Sequence, residues 1–162
     1  MVSRAEIWQW LSEIPDPEIP VISIAELGML REVKVDEKGI EVFLTPTYSG
    51  CPATKMIEDE VRLMLARHGV HDATITHVLS PAWTTDWLSE EAREKLRVYG
   101  IAPPEEASVS KAILTGKAIP QPACPLCKSK NTQIINQFGS TACKALYKCL
   151  DCLEPFDYFK CI

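Results

Sequence analysis

Four cysteines in the last quarter of the chain are spaced as metal ligands. Cys124 and Cys127 form one Cys-x-x-Cys pair, Cys149 and Cys152 form a second, and 21 residues separate the pairs. Two residues between cysteines let one tight turn present both sulfurs to one ion, and two such turns complete the tetrahedral sulfur ligation that zinc prefers. The spacing therefore predicts a structural zinc site, one ion per chain, in a zinc ribbon. Iron in the same four-sulfur site is an alternative.

Other interpretations of this cysteine-rich region fit the sequence less well. Seven cysteines in a chain that shows no export signal indicate reduced thiols and a cytoplasmic protein. Neither pair follows a strand and opens a helix, as a thioredoxin-type redox motif would. The region 121–162 has about 42 residues, which is usually too few for a sufficient core without a metal or disulfides. Cys143 and Cys161 are left as buried core thiols, a disulfide under oxidation or alternative ligands.

Cys51 stands alone and has a different expected chemistry. It lies where a predicted strand ends and where a helix opening with Pro52 begins. Free N–H groups and the positive end of the helix dipole stabilise a thiolate at such a position. Cys51 is therefore a candidate to hold iron or an iron–sulfur species transiently, or to act as a nucleophile. No histidine has a fixed spacing to it as a partner base, and a buried helix-capping cysteine is an equal alternative.

Two further groups of residues are weaker candidates. Asp16 and Glu18 flank a proline in a rigid turn, where they are candidate ligands or, more commonly, turn-stabilising acids. Trp83 and Trp87 lie in a predicted loop. We expect one of these indoles to pack onto the sheet and the other to contact a partner.

The elements that must position these residues follow from the apolar pattern. Ser3 and Glu6 have capping-box spacing, so a helix begins there, and Pro15 stops it. Alternating apolar residues at 30–35 and 40–44, joined by a glycine-containing turn, predict a hairpin. A helix follows Pro52, and its expected apolar stripe comprises Ala53, Met56, Ile57, Val61, Met64 and Leu65.

The rest of the chain completes an α+β fold. We expect a third strand at about 73–79 and a helix from Ser89 to Gly100. The fold class is thus a two-layer α-β-β-α-β-α domain followed by a small β zinc ribbon. The expected ranges are 1–102 for the α+β domain, 103–120 for a proline-rich linker with an amphipathic segment at 109–114, and 121–162 for the ribbon.

Composition excludes several classes of protein. Hydrophobic residues make up 46% of the chain and charged residues 24%, so the chain is globular rather than disordered. No apolar run approaches the ~20 residues of a membrane helix. The net charge of -5 makes a nucleic-acid partner unfavourable.

Several short motifs resemble a known family. The DPEIP run at 16–20, LGM at 27–29 and TYSGCP at 47–52 resemble the domain shared by iron–sulfur assembly factors of the SufT and MIP type. The PAWTTDW segment at 81–87 and FGSTACKA at 138–145 are more similar to the PaaD (PaaJ) family. The resemblance covers essentially the whole chain. It places Asp16 and Glu18 on the family's acidic turn and Cys51 on its reactive cysteine.

The resemblance implies a role beside an enzyme rather than a catalytic centre. PaaD-like proteins accompany the ring 1,2-phenylacetyl-CoA epoxidase of aerobic phenylacetate catabolism, a multicomponent diiron oxygenase whose reductase carries an iron–sulfur cluster. The implied role is an accessory factor for iron–sulfur cluster or metal assembly, with subunits of that complex as partners, above all the reductase. A non-catalytic structural or adaptor subunit is the alternative, and homo-oligomerisation stays open. The sequence has neither a diiron Glu-x-x-His pair nor a dinucleotide glycine fingerprint.

Overall fold

The computed structural model describes residues 2–48, 50–104 and 119–160. The chain divides into two compact units, 1–88 and 89–162, which we describe separately. Among the described residues, no helix combines the length and the apolar content that crossing a bilayer requires. The expected amphipathic segment at 109–114 lies outside the described residues.

The first unit begins with helix α1 (Arg4–Ser12). The predicted capping box is present: Ser3 Oγ accepts from the Glu6 N–H, and the Glu6 carboxylate accepts from the Ser3 N–H at 2.8 Å. Ile7 and Leu11 lie one turn apart and are fully buried, so this face of α1 joins the core.

A three-stranded sheet in the order β1-β2-β3 forms the second layer of this unit. Strands β1 (Leu30–Asp36) and β2 (Gly39–Leu44) form the predicted antiparallel hairpin. Strand β3 (Thr74–His77) pairs parallel to β2. Helix α2 (Ala53–Arg67) connects β2 to β3, as a parallel connection requires.

The predicted stripe of α2 is wrong at Met56, and Met64 is only half-buried. The buried residues recur at four-residue steps, and Met56 is exposed instead. Met56 lies one residue before a buried position, so it points away from the core side of the helix. The buried residues of α2 are Ala53, Ile57, Val61 and Leu65.

The first unit ends in the tryptophan-containing loop. The Trp83 indole is buried, and its Nε1 donates to the Leu27 carbonyl at 2.8 Å. Trp87 ends a short 3-10 helix (Thr85–Trp87) and packs against Gly28, whose φ is +81°. A Cβ at Gly28 would lie 3.0 Å from Trp87 Cβ, so both the close approach and the left-handed backbone require glycine here. The two tryptophans thus hold this loop against Leu27 and Gly28, which we call the leucine-glycine step.

The second unit contains helix α3 (Glu90–Tyr99) and a four-stranded sheet in the order β4-β7-β6-β5. Ser89 caps α3 by accepting from Ala92 N–H at 3.0 Å, and the helix ends at Gly100, as predicted. The sheet strands are β4 (Ile101–Ala102), β5 (Thr132–Asn136), β6 (Lys144–Cys149) and β7 (Pro155–Phe159).

Strand β4 was not predicted. Ile101 and Ala102 pair parallel with β7, opposite Asp157 and Tyr158. Because β4 directly follows α3, the pairing of β4 with β7 also attaches α3 to the sheet. Both elements belong to the second compact unit. The observed division after Leu88 thus differs from the boundary at residue 102 that the sequence suggested.

The core of the second unit lies beside the cysteine pairs. Tyr147 lies at the centre of the sheet, stacked on Phe156 at 5.9 Å and edge-on to Tyr158 at 5.6 Å between ring centroids. The Tyr147 hydroxyl donates to the Pro120 carbonyl at 3.0 Å. The buried cluster comprises Ala102, Cys124, Ala145, Tyr147, Cys149, Phe156 and Tyr158.

Candidate functional site

The four paired cysteines converge on one point in the second unit. Their sulfur atoms all lie within 4.8 Å of one another. Cys124 Sγ lies 3.7 Å from Cys152 Sγ, and Cys127 Sγ lies 3.5 Å from Cys149 Sγ. A tetrahedral ion with metal–sulfur bonds of about 2.3 Å has sulfurs about 3.8 Å apart. The quartet therefore has the spacing of a closed four-sulfur metal site.

The two turns that carry the cysteines repeat the same hydrogen-bond pattern. Cys124 N–H donates to the Ser129 carbonyl at 2.8 Å, and Cys149 N–H donates to the Glu154 carbonyl at 2.9 Å, each five residues on. The residue after the second cysteine of each pair is left-handed, with φ of 63° at Lys128 and 67° at Leu153. This conformation is uncommon outside glycine. Two matching knuckles thus present the sulfurs from opposite sides.

Backbone amides point at the sulfurs from within each knuckle. The Cys152 N–H donates to the sulfur of Cys149 and, with the Asp151 N–H, outweighs burial and lowers the pKa of Cys149 to about 7. The Glu154 N–H acts in the same direction on Cys152. Burial and the facing thiols outweigh it, however, and raise the pKa of Cys152 to about 12. Thiolates this close repel one another unless a cation lies between them, which is the condition that a bound metal supplies.

A polar brace outside the quartet connects the two knuckles. Asp151 accepts from the Ser129 hydroxyl and, at 2.7 Å, from Asn131 Nδ2. The Leu150 N–H donates to the Asn131 carbonyl at 2.8 Å. The Ser129 and Asn131 hydrogen bonds hold the pKa of the Asp151 carboxyl below its usual value. Asp151, Ser129 and Asn131 carry no ligand spacing that marks them in the sequence, although Asp151 lies inside the second Cys-x-x-Cys pair.

Cys51 occupies the predicted junction in the first unit. It precedes α2 by two residues, its N–H donates to the Tyr48 carbonyl at 3.3 Å, and its carbonyl accepts from Thr54 N–H at 3.1 Å. Pro52 takes the N-cap position, and within the described residues no side-chain hydrogen bond caps the helix there. In the first turn of α2 the Thr54 N–H is satisfied by the Cys51 carbonyl instead. The Cys51 side chain is 8% exposed, so it is nearly but not completely enclosed.

The acidic turn lies in the loop between α1 and β1. Asp16 is buried, and its Oδ1 accepts from Glu18 N–H at 2.9 Å and from Ile19 N–H at 2.8 Å. These are the contacts of a turn-stabilising acid, which is the role that the residues alone favoured. Glu18 is half-buried in the same turn. Asp16 and Glu18 thus belong to one loop, and Cys51 belongs to another.

Among the described residues, Cys143 does not join the quartet. Cys143 is buried at the start of β6, with its Sγ 3.0 Å from Thr141 Oγ1. This agrees with the expectation of a core thiol. Cys161 lies outside the described residues.

Sequence comparison identifies both parts of the chain. Residues 109–160 match the PaaD zinc beta ribbon domain, and residues 4–75 match the iron–sulfur cluster assembly protein family. A protein of Escherichia coli K12, named provisionally as a subunit of 1,2-phenylacetyl-CoA epoxidase, is 50% identical over 157 residues, which cover 97% of this chain and 92% of that protein. The chain belongs to the PaaD family. The predicted family and the paired-cysteine ribbon are therefore confirmed.

Several further relatives and solved structures match about half of the chain. The Fe-S protein maturation auxiliary factor SufT of Staphylococcus aureus is 39% identical over 51% of this chain and 96% of its own length. A solved structure of a DUF59 domain from Bacillus anthracis matches 57% of this chain and 90% of its own, with a TM-score of 0.53 and 26% identity. A Thermotoga maritima protein gives a TM-score of 0.50 at 25% identity over 59% of this chain and 94% of its own. The predicted α+β fold class is confirmed.

Proposed function

We propose that this protein is an accessory factor that assists iron–sulfur cluster or metal assembly for the multicomponent phenylacetyl-CoA epoxidase, in the cytoplasm. The observation that carries the proposal is the position of Cys51 at the start of α2, inside the region 4–75 that matches the assembly family. The start of a helix is a common position for cysteines that bind metals or react. The names of the E. coli relative and of SufT support the two halves of the proposal.

In this proposal Cys51 handles the cargo, which is iron or a cluster. Cys51 is only 8% exposed, so transfer is expected to occur in contact with a client protein rather than from solvent. Asp16 has the supporting role, because its carboxylate fixes the turn that precedes β1. Glu18 lies in the same turn and completes the acidic pair.

We also propose that the quartet binds zinc as a structural ion, one per chain. Cys124, Cys127, Cys149 and Cys152 fill all four positions of a tetrahedron, and a closed site has no position left for a substrate. The ribbon would then act as a rigid surface for docking to subunits of the epoxidase, especially its iron–sulfur reductase. Metal analysis of protein from zinc-replete medium should give one zinc per chain. Iron in its place, or no metal, would contradict this assignment.

Anaerobic reconstitution tests the role of Cys51. Wild type, Cys51→Ala and Cys143→Ala are incubated with ferrous iron and sulfide, and absorption spectra and metal content are measured. Cys143 is the matched control, because it is also a buried thiol outside the quartet. We expect iron or cluster uptake in wild type and in Cys143→Ala, and loss of uptake in Cys51→Ala with the zinc content unchanged. Equal uptake by all three proteins would show that Cys51 does not hold the cargo.

A second candidate function is a structural or adaptor subunit that carries only the ribbon ion. The observation that favours it is the name of the E. coli relative, which makes that protein a subunit. Stable, stoichiometric co-purification with the oxygenase subunits, together with full cluster loading of the reductase in cells carrying Cys51→Ala, would establish this alternative. Transient association with the immature reductase alone would support the assembly role.

A further inference from the structure

A groove in the first unit brings together two arginines and an indole. Arg4 from the first turn of α1 and Arg31 from β1 line it, together with Ala5 and Trp8, around a volume of about 480 Å³. Trp8 is half-buried, and both arginines are exposed. The two guanidinium groups come from elements that are far apart in sequence, so only the folded unit places them at one site.

The backbone presents Arg31 in a distinctive way. Leu30 pairs with Leu44 and Glu32 pairs with Phe43, so Arg31 is an extra residue without a partner in the register. Such a bulge re-aims a side chain away from the regular alternation of the strand. The Arg31 Cζ atom lies 3.8 Å from the centroid of the Trp87 ring. Stacking orients the guanidinium while leaving the N–H groups at its edge available to an acceptor.

The arginines of the groove lie in an acidic unit, and no carboxylate in the described part of the chain neutralises them. Residues 1–88 contain 14 Asp and Glu but only 7 Lys and Arg. Three of those cations, Lys34, Lys55 and Arg62, are paired with carboxylates. Within the residues that the structure describes, Arg4 and Arg31 make neither an ion pair nor a hydrogen bond through their side chains. Two arginines without a carboxylate partner in these residues therefore line one groove in an otherwise acidic unit.

We propose that the Arg4–Arg31 groove docks an acidic peptide segment of a partner protein, with a carboxylate between the guanidiniums and a neighbouring aromatic side chain against Trp8. Guanidinium forks match the geometry of carboxylates and bind them in a bidentate manner. The inference goes beyond the proposed function, because it needs neither Cys51 nor the quartet. It concerns how a partner is recognised, whichever role the partner has.

A phosphate ligand fits the groove less well than a peptide carboxylate. Phosphates at helix starts are usually held by free backbone N–H groups. At the start of α1 the Ser3 hydroxyl and the Glu6 carboxylate already form a closed capping box with the Glu6 and Ser3 amides. The Glu6 carboxylate also adds a negative charge that repels a phosphate dianion more strongly than a single carboxylate.

Titration with a minimal peptide tests the proposal on the full chain. The probe is N-acetyl-Phe-Glu-Glu-amide, with N-acetyl-Phe-Gln-Gln-amide as the uncharged counterpart and inorganic phosphate as the competing ligand. Shifts of the Trp8 indole and arginine Nε–H signals are followed by NMR up to about 10 mM ligand. We expect a dissociation constant of about 1 mM for the acidic peptide and at least about 10-fold weaker binding of the glutamine peptide.

Variants assign the binding to the groove. The double variant R4Q/R31Q should weaken binding of the acidic peptide by at least about 10-fold. R67Q, which removes another exposed arginine from the last turn of α2, should leave it unchanged. The amide spectra of all variants establish that the fold is retained. Equal binding to R4Q/R31Q, equal binding of both peptides, no shift at these signals, or stronger binding of phosphate would each overturn the proposal.

Discussion

The two units of this protein differ in how far their folds depend on cysteine. In the second unit, four sulfurs lie within 4.8 Å of one another, and Cys124 and Cys149 are part of its buried core. In the first unit, Cys51 adds one small side chain to a core already formed by α1, α2 and the β1–β3 sheet. The difference shows that four clustered cysteines can hold a small fold together, whereas the fold of a well-packed unit does not depend on one cysteine.

Removing one sulfur from each site should give the largest difference between them. Cys149→Ser should abolish the structure of the second unit, because metal ligation contributes on the order of 10 kcal/mol to a ribbon fold. Cys51→Ser should change the free energy of unfolding by only about 1 kcal/mol. Metal content and the NMR signals of Tyr147 and Tyr158 report on the ribbon, and the tryptophan signals report on the first unit. Retention of the ribbon tyrosine signals in Cys149→Ser would contradict the comparison.

The packing of the first unit can be tested at its leucine-glycine step. Gly28→Ala should cost about 3 kcal/mol, from a left-handed backbone plus a clash with Trp87. Gly69 is the matched control, since its φ is +80° but nothing lies within 4 Å of an added Cβ. Gly69→Ala should cost only about 1 kcal/mol. Urea unfolding followed by tryptophan fluorescence measures both, and equal costs would show that the contact with Trp87 contributes nothing.

The brace between the knuckles should affect metal retention without supplying a ligand. Asp151→Ala removes the acceptor for the Ser129 hydroxyl and for Asn131 Nδ2. Residues of this kind outside the ligand set typically change metal affinity by about 10- to 100-fold. We expect a loss in that range, measured by competition with a chromogenic chelator. Glu94→Ala, which removes an exposed carboxylate from α3, should leave the affinity unchanged.

The smallest effect is expected at an exposed ion pair of α2. Hydrogen bonds from Arg62, and then from His77, hold the pKa of the Glu58 carboxyl below its usual value. These hydrogen bonds stabilise the folded protein at pH values above the pKa of Glu58 in the unfolded chain. The stabilisation is lost as the pH falls through the lower pKa that Glu58 has in the folded protein. Glu58→Gln should therefore cost about 0.5 kcal/mol near neutral pH and nothing in strong acid. Urea unfolding at a series of pH values checks this, and a cost that is constant with pH would contradict it.

Local signals in the sequence predicted much of what the structure shows. Capping residues Ser3 and Ser89 mark two helix starts, alternation marks the β1–β2 hairpin, and cysteine spacing marks the quartet, because each signal acts within a few residues. Strand β4 escaped prediction because two residues have no periodicity, and only their pairing with β7 defines them. The Arg4–Arg31 groove escaped for the same reason, since it depends on a bulge and on packing between distant elements.

Strand β4 has a practical consequence for anyone who wishes to produce the ribbon separately. Ala102 is almost fully buried with Cys124 and Tyr147. Ile101 and Ala102 pair with one hydrogen-bonding edge of β7. A fragment cut at 109 or 121, where the family match or the cysteine pattern begins, would leave the donors and acceptors along that side of β7 unpaired. An uncovered strand of this kind is a template for self-association, so a soluble ribbon fragment should start ahead of α3, at Ser89.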